Sequence, residues 1–235
     1  MSISLLPDNP AAWTYRSWED LMAIPREERE KLQLEAVRIN FRRLRDRIPA
    51  LKKLADRQGV EAIDKIEDVL PVCFDHRVLK NYPIQIIENR DFPKLTQWLG
   101  KLTAHDLTRI DLTGLKTIEE WLGRLETFGM LVTYSSGTTG NLSFVPRSYD
   151  EFGPWKFHYY NVTQAASGIN CWDNHLPTFF PGYRGGYQTM LKMMTLFNRE
   201  MAGGDANYYT LYDTHIPADL MALSGRLQSA EDRGE

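Results

Sequence analysis

The sequence predicts an α/β protein, with a helix-rich region over residues 1–129 followed by an α/β region over residues 130–235. Three observations carry this. Before residue 130 the apolar residues recur at helical spacing. After it, short runs rich in β-branched and aromatic residues alternate with helical runs, and strand–helix–strand order implies a sheet that is mixed and partly parallel, with flanking helices. The 235 residues are 43% hydrophobic and 25% charged, which is globular composition and excludes a largely disordered or fibrous chain.

The first helix is predicted over residues 26–47, where Val37, Phe41, Leu44 and Ile48 share one face. Pro49 disfavours a helical residue before it and suits the first turn of a new helix. Leu51 and Leu54 continue the apolar face, and Gly59 is the stop signal. A short segment spans residues 66–72, and a helix is expected over 92–99. Thr117 and Glu120 have the spacing of a capping box, with Ile118, Trp121, Leu122 and Leu125 as the buried stripe. Gly129 then ends the helical half.

Met130-Leu131-Val132-Thr133-Tyr134 reads as a buried strand. It runs directly into Ser135-Ser136-Gly137-Thr138-Thr139-Gly140. A second strand is expected over 142–147, then a helix over 149–166 whose Gly153-Pro154 delays its start. A third strand follows over 175–180, a Met-rich helix over 187–201, a strand over 207–212 and a last helix over 218–228.

Composition also bounds function. Lys and Arg total 28 against 31 Asp and Glu, a net charge of −3, which argues against a dedicated nucleic-acid or membrane-surface binder. No apolar run approaches a membrane span. The N-terminus has neither the basic start nor the apolar stretch of a secretory signal, so a cytoplasmic protein with free thiols at Cys73 and Cys171 is expected. Residues 26–57 hold eleven basic and six acidic residues, and Arg38, Arg42 and Arg45 share a face. Without an aromatic platform this reads as a solvated helix face, not a nucleic-acid interface. Cys73 with His76, and Cys171 with His175, are single pairs, whereas structural zinc needs four ligands, so no metal site is assigned. His158, within the aromatic run 155–160, reads as core packing.

The segment from Ser135 to Gly140 carries the chemistry. Its glycines permit backbone angles that turn amide N–H groups inward, and its hydroxyls add donors, so it suits phosphate oxygens. It is not a Walker A loop, because the Gly-Lys-Ser/Thr ending is missing, nor a Gly-x-Ser-x-Gly nucleophile elbow. Ser135-Ser136-Gly137-Thr138-Thr139-Gly140 after a buried strand resembles the phosphate-binding loop of the adenylate-forming superfamily of acyl-CoA synthetases. The lead-in from Phe41 to Asp68-Val69-Leu70-Pro71 and the stretch from Pro177 to Gly186 resemble phenylacetate-CoA ligases and acyl-protein synthetases in particular.

The resemblance implies an incomplete adenylate-forming N-terminal domain. Its activity would be ATP-dependent activation of a carboxylic acid as the acyl-adenylate, with transfer to CoA or another thiol. It implies ATP and Mg²⁺ as cofactors, residues 135–140 on the ATP phosphates, and an acyl pocket near Phe180, Tyr183, Gly185 and Gly186. Many members carry a Lys just after the loop. Here Asn141-Leu142-Ser143 stands instead, and Arg147 is the nearest basic residue and the candidate phosphate contact. The family's later motifs for adenine, Mg²⁺ and ribose are missing from the 235 residues. The expectation is therefore a front portion, completed by further C-terminal sequence or a second chain. The alternative is a catalytically silent nucleotide-binding remnant or partner-dependent subunit. The aromatic residues around Gly182 and the methionines of 190–201 read first as core, and second as pocket.

Overall fold

The computed structural model describes residues 18–135, 141–149 and 152–234. Its helical half opens with α1 (Trp18–Met22), α2 (Arg26–Leu44) and α3 (Pro49–Gln58). Ile48 is extended (φ −105°, ψ 105°), as the following proline requires, so α2 ends at Leu44 and not at 47. Gly59 closes α3 in the left-handed region at φ 67°. Phe41, Ala55, Ile63 and Val72 form a small core, with Val37 and Leu51 packed against it. Residues 66–72 make a 3-10 turn that seals this core against α3.

The basic face of α2 is consumed by local pairing. Arg38 Nε donates to the Ile63 carbonyl at 2.8 Å, and Arg45 pairs with Asp56 at 2.6 Å. Arg42 lies 3.7 Å from Glu35. The Arg38 and Arg45 contacts latch the end of α2 to the chain that follows it, while Arg42–Glu35 is a pair within the helix.

Two short helices then lead to the main core: α4 (Ile84–Glu88) and α5 (Phe92–Leu99), the latter capped by Asp91 accepting from the Lys94 amide at 3.1 Å. α6 (Ile118–Thr127) starts at the predicted capping box, with the Thr117 hydroxyl accepting from the Glu120 amide at 3.1 Å. Its whole predicted stripe, Ile118, Trp121, Leu122 and Leu125, is buried.

β1 (Met130–Tyr134) is buried at every position and packs against α6. It pairs antiparallel with β2 (Phe144–Ser148), Tyr134 opposite Phe144 and Met130 opposite Ser148. α7 (Phe152–Ser167) accommodates Gly153-Pro154 in its first turn, where proline sacrifices no helical hydrogen bond. Phe157, Tyr160 and Asn161 are its buried side chains, while His158 is exposed and so is not the core residue that its aromatic surroundings suggested.

β3 (Thr178–Gly185) and β4 (Tyr208–His215) pair in parallel, with α8 (Thr189–Met201) as the crossover packed on β3, and α9 (Ala218–Asp232) ends the chain. The α/β class and the parallel component are as the sequence implies. In place of the one mixed sheet expected, the described residues form two two-stranded sheets, one antiparallel and one parallel. Gly186 (φ 156°) turns the chain away after β3, and an isolated parallel bridge between Tyr134 and Gln188 joins it to β1. β3 starts later than predicted and runs through Pro181, which lacks a ladder donor; the register shifts between Phe180 and Tyr183. Among the described residues no helix is long and apolar enough to cross a membrane.

Candidate functional site

The hydroxyl-rich segment joins β1 to β2, and both of its ends are tethered. The Ser135 amide donates to the Ser143 carbonyl at 3.1 Å, which continues the hairpin one residue beyond the strands. The Tyr134 amide donates to the Tyr187 carbonyl at 3.0 Å. The Thr189 hydroxyl, in the first turn of α8, donates to the Tyr134 carbonyl at 3.1 Å. On the far side, the Tyr82 hydroxyl donates to the Leu142 carbonyl at 2.7 Å, and the Asn141 amide reaches the Tyr82 carbonyl at 3.4 Å. Burial pushes the Tyr82 phenol well above its ordinary range, so it stays a neutral donor. Ser135 itself is exposed. Ser136, Gly137, Thr138, Thr139 and Gly140, the rest of the predicted phosphate loop, lie outside the described residues.

Glu126 gathers three elements around the Tyr187 segment. Its carboxylate accepts from Lys192 Nζ at 2.9 Å on both oxygens, and from the hydroxyls of Tyr149 and Tyr187. Burial pushes this carboxyl upward, but the hydrogen bonds from Lys192, Tyr149 and Tyr187 outweigh it and hold it below the ordinary glutamate value. The Lys192 ammonium also lies 4.4 Å from the Tyr187 ring centroid. α6, the end of β2 and the first turns of α8 are thereby tied together. This cluster leaves no local signature in the sequence, because its members are separated by up to 66 positions.

A second polar junction ties α6 to α9 through their N-termini. Asp219 Oδ2 accepts from the Ile118 and Glu119 amides at 2.9 and 3.4 Å. Glu119 Oε2 accepts from the Ala218 amide at 2.9 Å, and Glu119 Oε1 meets His215 Nε2 at 2.5 Å. Each helix thus supplies the carboxylate that neutralises the other's unpaired N–H groups and the positive end of its dipole. The fully buried Tyr134 lies nearby, and its hydroxyl has no hydrogen-bond partner among the described residues. Burial, with the charges of Glu119 and Asp219, pushes that phenol well above its ordinary range.

The other predicted site residues separate. Arg147 sits opposite Leu131, three residues or roughly 10 Å along β2 from its first residue, Phe144, and seven residues beyond Gly140. Its guanidinium lies 4.2 Å from the Trp155 ring centroid. Tyr183 stacks on Tyr212 with centroids 4.9 Å apart, and Phe180 pairs in register with Thr210. Gly185 and Gly186 are buried where β3 meets the end of β4. A Cβ at Gly185 would stand 2.9 Å from His215 Nδ1, and one at Gly186 3.2 Å from the Ile216 carbonyl. Those two glycines also border a cavity of about 410 Å³, lined further by Arg184, by residues of α8 and β4, and by Asp205. Phe180 and Tyr183 do not line it. Among the described residues no group of three or more His, Cys, Asp or Glu is placed to hold a metal ion. Cys171 is buried, which pushes its thiol up, and Cys73 is exposed.

No family model matches this chain, and no curated protein and no solved structure matches it significantly.

Proposed function

We propose that the chain binds the triphosphate of ATP through residues 135–140 and takes part in activating a carboxylic acid as its adenylate, for transfer to CoA or another thiol. The observation that carries this reading is the run Ser135-Ser136-Gly137-Thr138-Thr139-Gly140 at the end of a fully buried strand, with both flanks tethered to rigid elements. A loop that must neutralise a leaving pyrophosphate works best on fixed supports, because no reorganisation is then needed during the reaction. The Ser135 amide is engaged with Ser143, so Ser135 offers its hydroxyl to a phosphate and the amides must come from further along the loop. Mg²⁺ would arrive with the triphosphate, its charge shared with the phosphate oxygens. In the reaction, a carboxylate oxygen attacks the α-phosphorus and expels pyrophosphate. A thiolate then attacks the acyl carbon and releases AMP.

The test is pyrophosphate release by the purified chain with Mg-ATP and a panel of acids, beside direct Mg-ATP binding. Gly137→Val is expected to abolish triphosphate binding with the fold retained. Unchanged Mg-ATP affinity in that variant refutes the loop assignment.

A second reading, a subunit that works only with a partner chain or with further sequence, is favoured by one observation. Parallel sheets are normally covered on both faces, yet Phe179, Tyr209, Leu211 and Tyr212 of the β3–β4 pair are all at least 50% exposed. Mg-ATP binding without pyrophosphate release, together with self-association or hydrophobic-dye binding, would select this reading.

A further inference from the structure

The helix α9 is turned the opposite way from a surface helix that packs only on its own core. The residues it buries are Ala218, Ala222 and Gly225, at spacings of four and three. Small side chains on that face let its backbone approach α6 closely. Its leucines lie elsewhere: Leu220, Leu223 and Leu227 are 52%, 46% and 63% exposed. At about 100° per residue, their stripe falls on the side of the helix opposite the three buried residues. A helix whose only partner is its own core puts leucine inside and small or polar residues outside. Here leucine is the outward residue, at the spacings of three and four that mark a coiled-coil seam. A lone surface leucine is ordinary, but three in one stripe make an apolar patch that marks an interaction surface.

We propose that this stripe docks a second copy of the chain, the two α9 helices running parallel and in register about a two-fold axis. Each leucine then meets its own counterpart, and Ala230, three residues beyond Leu227, takes the next seam position with a small side chain. The flanking charges select this occupant and this direction. Arg226 borders the seam on one side and Glu231 on the other, five residues apart, which is the offset at which flanking residues of two parallel helices meet. A parallel pair therefore sets Arg226 of each copy beside Glu231 of the other, twice over. An antiparallel pair stacking the same leucines sets Arg226 beside Arg226 of the other copy. Glu231 is exposed. Arg226 directs one terminal nitrogen at Glu88, 3.5 Å away, which leaves the second for the other copy. Because α9 is already folded against its own core, docking does not carry the nucleation cost of a free two-heptad helix. Three leucines a side make a small interface, so the dimer belongs to the weak, reversible class. It does not rest on the adenylation reading.

The experiment is sedimentation equilibrium of the full chain from about 1 μM to about 500 μM, with the melting temperature followed over the same range. The wild type is expected to dimerise reversibly, and to melt at a higher temperature as its concentration rises. Leu223→Lys is expected to weaken the dimer at least about tenfold. It should keep the melting temperature that the wild type shows at the lowest concentration, because the replaced side chain lies outside the core. Glu231→Arg sets a second guanidinium against Arg226 and is expected to weaken the dimer about tenfold. Arg226→Glu combined with Glu231→Arg is expected to restore it. That pair is made in a Glu88→Gln background, since Glu88 otherwise faces the new carboxylate. A monomer throughout the range overturns the proposal. So does a dimer that Leu223→Lys leaves intact, which moves the contact to another surface, such as the exposed aromatic side chains of β3 and β4. Loss with Leu223→Lys but no effect of Glu231→Arg, or no rescue by the reversed pair, overturns the parallel, in-register arrangement.

Discussion

The crossed caps of α6 and α9 make Asp219→Ala the most informative single substitution for the fold. In the native chain Asp219 Oδ2 satisfies the Ile118 amide at 2.9 Å and lies 3.4 Å from the Glu119 amide. Ile118 is 2% exposed, so water does not readily replace the lost acceptor. Leaving a buried donor unsatisfied costs about 1–3 kcal/mol. Removing the anion from a helix N-terminus adds about 0.3–1 kcal/mol. The Thr117–Glu120 box remains intact, so the helix itself should survive. The expected loss is about 2–3 kcal/mol, or about 4–12 °C in melting temperature for a chain of this size. Asp219→Asn keeps an acceptor without the charge and should lose about 1 kcal/mol.

Urea unfolding followed by tryptophan fluorescence is the assay, with the fully buried Trp121 on α6 as a reporter. Glu119→Gln, which weakens the reciprocal cap on α9, completes a double-mutant cycle. The two carboxylates share one junction, so the double variant should deviate from additivity by at least about 0.5 kcal/mol. An Asp219→Ala variant within about 0.5 kcal/mol of the wild type would show that the two helix ends are satisfied by solvent, and the reasoning would fail.

Two further outcomes are expected. The Glu126 carboxyl is held below its ordinary value of 4.5, so the stability it contributes is complete above that value and is lost as pH falls through the folded-state value. Urea midpoints of the wild type should therefore converge on those of Glu126→Gln as pH is lowered from about 5, and a constant difference across that range would disprove it. Gly186→Ala places a Cβ at φ 156° against the Ile216 carbonyl and should cost about 2–3 kcal/mol. Gly59→Ala, also at positive φ but with open space around it, should cost about 1 kcal/mol; equal losses at the two sites would remove the packing argument.

Local signals were readable where one residue's chemistry decides the backbone. Pro49 forces Ile48 out of the helix, Gly59 takes the left-handed cap, and Thr117 with Glu120 begins α6. β1 was readable at both ends because Met130 and Leu131, followed by the β-formers Val132, Thr133 and Tyr134, are bounded by Gly129 and Ser135. What was not readable depends on distance along the chain. The four-residue-scale patterns that reveal helices carry no trace of Glu126 meeting Lys192, or of Asp219 reaching Ile118 from 101 positions away. α4 is too short at five residues to show a period. The division into two small sheets leaves no local mark in the sequence, and Gly186 after β3 takes a φ of 156° that the residue type permits but does not dictate.

The aromatic and glycine-rich stretch around β3 illustrates how a strand's two-residue period separates properties that the sequence lists side by side. Tyr183 and Arg184 are neighbours in the chain, so their side chains leave opposite faces of the strand. Tyr183 goes to the face where it stacks on Tyr212, and Arg184 goes to the cavity with Asp205 and Asp213. Reading the stretch as one apolar pocket merges these two faces. With them apart, the glycines serve the close approach of β3 to His215 and Ile216, and the aromatic face is the one left exposed. The cavity inherits the charged face, and α8 adds Lys192 and Arg199 to it. An apolar cover over the exposed aromatic residues and the mixed lining of the cavity are therefore separate demands, made by different side chains of one strand pair.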